Sequence, residues 1–133
     1  MAYRTIRVVA AVVERAGRYL ITQRREQAVL PLLWEFPGGR VEEGERDEDA
    51  LGRELRERID AVATIGRKLG EKRHAYEGYE VALALYAATL DESQPLRALR
   101  VKDFRWVASE EFDKYPFPDA DQWTMDQLLG IER

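Results

Sequence analysis

The stretch "FPGGRVEEGERDEDALGRELRERIDA", Phe36 to Ala61, decides the fold. From Asp47 onward the apolar positions fall at Leu51, Leu55 and Ile59, a spacing of four that lines one face of a helix. Asp47, Glu48 and Asp49 stand where a helix N-terminus favours negative charge, so the spacing predicts a helix over Asp47–Ile59. Winding that segment at about 100° per residue places Glu54 and Arg58 beside the apolar seam and Glu57 one step further round. Carboxylates flanking a buried seam emerge at the edge of a core rather than in open water. With Glu42, Glu43 and Glu45 from the preceding loop they concentrate oxygen ligands suited to a hard cation, Mg²⁺ or Mn²⁺. The chain has no cysteine and one histidine, which argues against zinc or copper. Gly38 and Gly39 let the backbone come close enough for a carbonyl to serve as a ligand. The plainer alternative is a solvated helix face, with Arg53–Glu57 and Glu54–Arg58 as ordinary i,i+4 pairs.

Outward from this segment, the 133 residues are expected to form one domain, 1–133. Without cysteine there is neither a disulfide framework nor thiol chemistry. The 21 basic and 25 acidic side chains are interspersed and leave a net charge of −4, so DNA or RNA polymers are not expected partners. The apolar run Val8–Val13 is too short for a signal segment or a membrane span, and a cytoplasmic protein, monomer or homodimer, is expected. Arg97, Arg100, Lys102 and Arg105 make a local basic patch, either a solvated strand edge or a phosphate-facing surface.

"IRVVAAVV" reads as a strand, and "RAGRY" as the turn of a hairpin into "YLITQRR". Glu26 to Leu33 reads as a loop, and "LWEFPGG" as a short strand cut off by Pro37 and two glycines. Further strands are expected over Val62–Leu69, Val81–Leu90 and Val101–Val107, with Gly78 and Pro95 marking turns. Ser109 is a candidate N-cap, and "DADQWTMDQLLG" a last helix with Trp123, Leu128 and Leu129 on one side and Gly130 as its stop. Strands and helices mix without strict alternation, which fits a mixed sheet with helices on its faces. His74 is expected on a strand surface, and Trp34, Phe36, Phe117 and Trp123 in the core.

Gly39 is followed by five residues and Glu45, then by seven residues and Arg53-Glu54-Leu55, then by Arg56 and Glu57. This spacing resembles the signature of the Nudix hydrolases, G-x5-E-x7-R-E-U-x-E-E-x-G-U, with U a bulky aliphatic residue. The flanks "LWEFPGGRVEEGE" and "YPFPDADQW" resemble the MutT-like branch that sanitises nucleoside triphosphates. The resemblance implies an α/β fold, an α/β/α sandwich with a mixed β-sheet. It also implies a metal-dependent pyrophosphohydrolase that converts a nucleoside triphosphate to the monophosphate and pyrophosphate. Modified bases, oxidised purines or a methylated or ordinary pyrimidine, are the substrates it suggests. By the same resemblance Glu54 and Glu57 are metal ligands, Gly38 supplies a carbonyl, Arg53 orients the helix carboxylates within the catalytic set, and Glu45 is structural. The substrate-binding set is Arg24, Arg40, Arg58, Arg100, Asp119 and Asp121, the two aspartates standing beside aromatics in the manner of the family's base site.

The chain departs from the signature at three positions. The second Glu of the Glu-Glu pair is Arg58, the Gly is Asp60 and the last aliphatic is Ala61. A cation about 4 Å from a divalent ion, at an effective dielectric of about 20, opposes binding by roughly 8 kcal/mol. The carboxylate expected six residues before Trp106 is Arg100. Two acids have become two arginines, which implies either a reduced metal site with guanidinium groups on phosphate oxygens or a weakened domain that binds nucleotide without cleaving it.

Overall fold

The computed structural model describes residues 4–118, 121 and 123–125. Eight strands form two sheets around one long helix. They are β1 (Arg4–Val12), β2 (Glu14–Arg15), β3 (Arg18–Gln23), β4 (Trp34–Glu35), β5 (Gly38–Arg40), β6 (Ala63–Tyr76), β7 (Tyr79–Leu90) and β8 (Asp103–Val107). The helix α1 spans Asp47–Ile59, and a 3₁₀ helix spans Ser109–Lys114. The first sheet runs β5-β1-β7-β6; β1 and β7 are parallel, whereas β5 on β1 and β6 on β7 are antiparallel, so the sheet is mixed as expected. In the second sheet β2, β4 and β8 all pair antiparallel with β3.

Alternation along β1 divides the core between the two faces of the first sheet. Val9 and Ala11, with Ala84, Tyr86 and Ala88 of β7, pack against Leu51, Leu55 and Ile59 of α1. Ala10, Val12 and Leu85 point the other way, toward Ile21, Trp34, Phe36 and Phe112, with Phe117 and Trp123 against them. The three seam residues of α1 are fully buried, and truncating any of them to alanine costs about 2–5 kcal/mol. At the start of the helix Asp47 pairs with Arg7 and accepts the Tyr86 hydroxyl at 3.0 Å, tying α1 to β1 and β7.

Several sequence expectations are corrected by the fold. The expected hairpin survives only at its tip, where Glu14–Arg15 meets Arg18–Tyr19 around Ala16 and Gly17, both at positive φ. β1 itself lies in the other sheet, between β5 and β7, with one face on α1 and the other on Ile21, Trp34 and Phe36. Pro37 and the glycines do not end strand structure: Gly38–Arg40 pairs with Val8–Ala10. β6 runs on to Tyr76, past the expected Leu69. Its polar second half is held by the ladder to β7, by the Arg73–Glu80 pair and by Tyr76 stacked on Tyr79. β8 starts at Asp103, two residues later than expected. The cap of the 3₁₀ helix is Ala108, not Ser109, because Glu111 reaches back to accept the Ala108 N–H at 3.2 Å. Of the last expected helix, Trp123–Met125 is helical; Leu128, Leu129 and Gly130 lie outside the described residues. Among the described residues no helix is long and apolar enough to cross a membrane.

Candidate active site

The site gathers where α1 meets β5 and β4. The edge strand β5 brings its glycines against the helix. Ala11 N–H on Pro37 O (2.8 Å) and Val41 N–H on Arg7 O (2.9 Å) make Val9–Gly39 a hydrogen-bonded pair. The alternation of an antiparallel ladder then turns the Gly38 carbonyl away from β1. A Cβ on Gly39 would stand 2.2 Å from Glu54 Oε2, so only glycine admits the carboxylate here. Glu54 is 8% exposed, the one charged residue that is buried among the described residues.

Arg53 organises the acids. Its Nε and Nη2 each donate to Glu45 at 2.8 Å, Nη2 also reaches Arg40 O at 3.0 Å, and Nη1 donates to Glu54 Oε1 at 3.1 Å and Glu57 Oε2 at 3.3 Å. The bidentate hydrogen bond from Arg53, followed by the Glu42 N–H, lowers the Glu45 pKa to about 2. The same Glu45 hydrogen bonds raise the Arg53 guanidinium above its ordinary value, against an opposing effect of burial and with help from Glu54. Arg53 thus ties Glu54 and Glu57 together, and Glu45 anchors it. Glu42 and Glu43 do not join the cluster: both are exposed, and Glu42 stays 3.9 Å from Arg53.

A second set of arginines closes on the same carboxylates. Arg58 Nε donates to Glu54 Oε2 at 2.6 Å, and its Nη1 lies 3.8 Å from Glu35. Arg24 Nη1 donates to the other oxygen of Glu35 at 3.0 Å, and Arg100 Nη1 to Glu57 at 3.5 Å. The sequence does not single out Glu35; its acidic place inside the flank "LWEFPGGRVEEGE" is the only signal. Asp60 ends α1 at φ 57°, where the family pattern has glycine, and accepts from Gln94 at 3.2 Å.

Two adjoining cavities meet at Arg24, Glu35 and Arg58. The larger, about 530 Å³, has apolar walls that include Phe36, Leu83 and Trp123, with Gly38, Arg40 and Asp121 also on its surface. The smaller, about 230 Å³, is charged and holds Glu54, Glu57 and Arg100. Burial, reinforced by the Glu35 carboxylate and opposed by Arg24 and the Phe36 N–H, raises the Asp121 pKa to about 7. His74 is exposed on β6, as expected, and lies at the wall of the larger cavity. Asp119 lies outside the described residues.

The oxygens here match a hard divalent cation in kind. Glu54 and Glu57 stand one turn apart, and the Gly38 carbonyl is turned off its sheet. Magnesium commonly takes one or two carboxylates and completes its shell with water and phosphate. Among the described residues no group of three acidic, histidine or cysteine side chains is placed to hold a metal ion by itself.

A family model for the NUDIX domain matches residues 8–127. The chain belongs to that family. It is 36% identical over 126 residues to a CTP pyrophosphohydrolase of Escherichia coli (strain K12), covering 95% of this chain and 93% of the relative. It is 30% identical over 131 residues to an 8-oxo-dGTP diphosphatase of Haemophilus influenzae, covering 98% and 96%. The solution structure of the E. coli ORF135 protein superposes with a TM-score of 0.82 at 32% identity, covering 96% of this chain and 91% of that one. Within this Nudix chain, the motif residues Glu45, Arg53, Glu54 and Glu57 form one connected cluster.

Proposed function

We propose that this Nudix protein hydrolyses a nucleoside triphosphate to the monophosphate and pyrophosphate, as a nucleotide-pool enzyme of the cytoplasm. The observation that carries the reading is the junction of an apolar cavity, sized for a nucleobase and sugar, with a charged one that contains the motif carboxylates. The names of the similar proteins, which act on CTP and 8-oxo-dGTP, support it.

In this reading the base lies against Phe36, Leu83 and Trp123, where Asp121 meets its polar edge. Gly38, Glu54 and Glu57 hold Mg²⁺ or Mn²⁺, which when bound neutralises phosphate charge and acidifies water. Arg53 keeps the Glu54 and Glu57 carboxylates pointed into the charged cavity, so little reorganisation is needed when substrate arrives. Arg24 and Arg58 stand at the junction, where they meet the first phosphates. Arg40, exposed at the end of β5, faces the same cavity mouth.

The test is a screen of ordinary and modified nucleoside triphosphates with Mg²⁺ or Mn²⁺, following pyrophosphate release. Turnover of one of them, abolished by chelator, is expected; saturable nucleotide binding with no turnover would overturn the reading. That outcome is the second reading, a Nudix domain that binds nucleotide without cleaving it. Arg58 seated on Glu54 at 2.6 Å, where the family carries an acid, is the observation that favours it.

A further inference from the structure

The smaller cavity carries more positive charge than its acids need. Arg24, Arg25, Arg58 and Arg100 line it, against the three carboxylates of Glu35, Glu54 and Glu57. Each guanidinium offers five N–H donors in a planar fork. Arg58 engages Glu54 through Nε alone and stands off Glu35 at 3.8 Å. Arg100 reaches Glu57 only at 3.5 Å and is exposed, and Arg25 has no acidic partner among the described residues. Arg24, by contrast, is held by Val29 O at 2.7 Å and by Glu35. Three arginines therefore face the cavity with donors to spare.

We propose that Arg25, Arg58 and Arg100 form a phosphate subsite that binds the polyphosphate of a nucleotide, or inorganic pyrophosphate, without a divalent cation. The proposal deepens the hydrolase reading, on which it rests for placing the base in the adjoining cavity. Three separate forks call for an anion with several oxygens and more than one charge, which a diphosphate supplies and a single carboxylate does not. The cavity volume, about 230 Å³, accommodates such a group. Arg58 belongs to both cavities, so a nucleotide with its base in the larger one brings its phosphates to this fork. When a phosphate takes Arg58, Glu54 Oε2 loses its shortest hydrogen bond while Arg53 still holds Oε1. Phosphate binding thereby exposes an oxygen that the free protein keeps covered.

The experiment titrates metal-stripped full-length protein with inorganic pyrophosphate by calorimetry, in chelator-treated buffer at low salt. Saturable binding is expected, weakening as salt rises. Arg25→Ala and Arg100→Ala, both at exposed positions that leave the core intact, should each weaken it about tenfold, and Arg100→Lys should recover part of the loss. Arg18→Ala, at the distant β2–β3 turn, should bind as the parent does. Absence of saturable metal-free binding, or parental affinity in both Arg25→Ala and Arg100→Ala, overturns the subsite. Pyrophosphate release with Mg²⁺, measured in parallel, separates the two claims. Turnover without metal-free binding refutes the subsite and leaves the hydrolase; metal-free binding without turnover does the reverse.

Discussion

Gly39→Ala tests the site with the smallest possible perturbation, one methyl group. Its Cβ would lie 2.2 Å from Glu54 Oε2 and 2.3 Å from Cδ, while ordinary contact begins near 3.4 Å. The carboxylate must therefore retreat by roughly 1 Å, since the opposing wall is the backbone of β5 in its ladder with β1. That retreat disrupts two hydrogen bonds, from Arg58 at 2.6 Å and from Arg53 at 3.1 Å, on a residue that is 8% exposed. Charge-assisted bonds of this kind are each worth about 1.5–3 kcal/mol, and a misplacement of about 1 Å at a reacting centre costs about 10²-fold in rate. Pyrophosphate release should fall about a hundredfold, with the melting temperature down by several degrees and the folded far-ultraviolet dichroism retained. Gly52→Ala is the matching control. Nothing stands within 4 Å of a Cβ there, and alanine in α1 should add about 0.5–1 kcal/mol of stability at unchanged rate. Parental turnover in Gly39→Ala would mean that Glu54 can leave its place without consequence, which refutes its role at the reacting phosphate.

Glu54→Gln keeps the shape and removes the charge, so turnover and Mn²⁺ binding, read by electron paramagnetic resonance, should both be lost; full activity in that variant, or in excess chelator, removes Glu54 from the site. Glu45 has its folded pKa depressed to about 2 from 4.5, so its contribution to stability is present above about pH 4.5 and is lost as pH falls toward 2. Acid denaturation of Glu45→Gln should accordingly be shallower over that window, and an unchanged profile counts against the Arg53 clasp. Asp121, raised to about 7 from 3.8, takes up a proton on folding between those values, so stability falls as pH rises through the window and levels off above it. Asp121→Asn should abolish that slope and change the ranking among bases more than the rate on the best one; an unchanged ranking excludes Asp121 from base recognition. Arg58→Glu with Arg100→Glu should tighten Mn²⁺ binding and lose metal-free pyrophosphate binding. If turnover rises as well, the two arginines are lesions of a metal site rather than phosphate ligands.

The parts of this molecule legible in its sequence are those where burial imposes a period. Leu51, Leu55 and Ile59 announce α1 to the residue because one face must meet a sheet. The second half of β6 carries no such mark. Residues 70–76 are polar and mostly exposed, so only the ladder to β7 makes them a strand, and a ladder partner is not visible locally. The bend that sends β1 and β3 into different sheets escapes notice for a related reason. Its local signal is a turn at Ala16-Gly17, and the decision between sheets is taken by cores that lie far along the chain. At the candidate site the i,i+4 neighbours could be written down in advance, and Arg58 does hold Glu54. Glu35 could not, since its meeting with Arg58 depends on where the second sheet, through β4, comes to lie beside the end of α1, which no spacing in the chain expresses.

The pairing of Arg58 with Glu54 also explains how a buried carboxylate persists at the candidate site. An unpaired charge at that depth costs several kcal/mol, so the resting protein must supply a counter-charge. Arg53 supplies part of it, but its donors are shared among Glu45, Glu54 and Glu57. Arg58 supplies the rest through one short bond while keeping other donors toward the cavity. A lysine there would offer a point charge without the planar fork that a phosphate can take bidentately. The substitution of acid by arginine within the Nudix motif therefore does more than delete a ligand. With the phosphate subsite proposed above, it makes the charge balance of Glu54 depend on what occupies the neighbouring cavity, and couples anion binding there to the availability of the carboxylate.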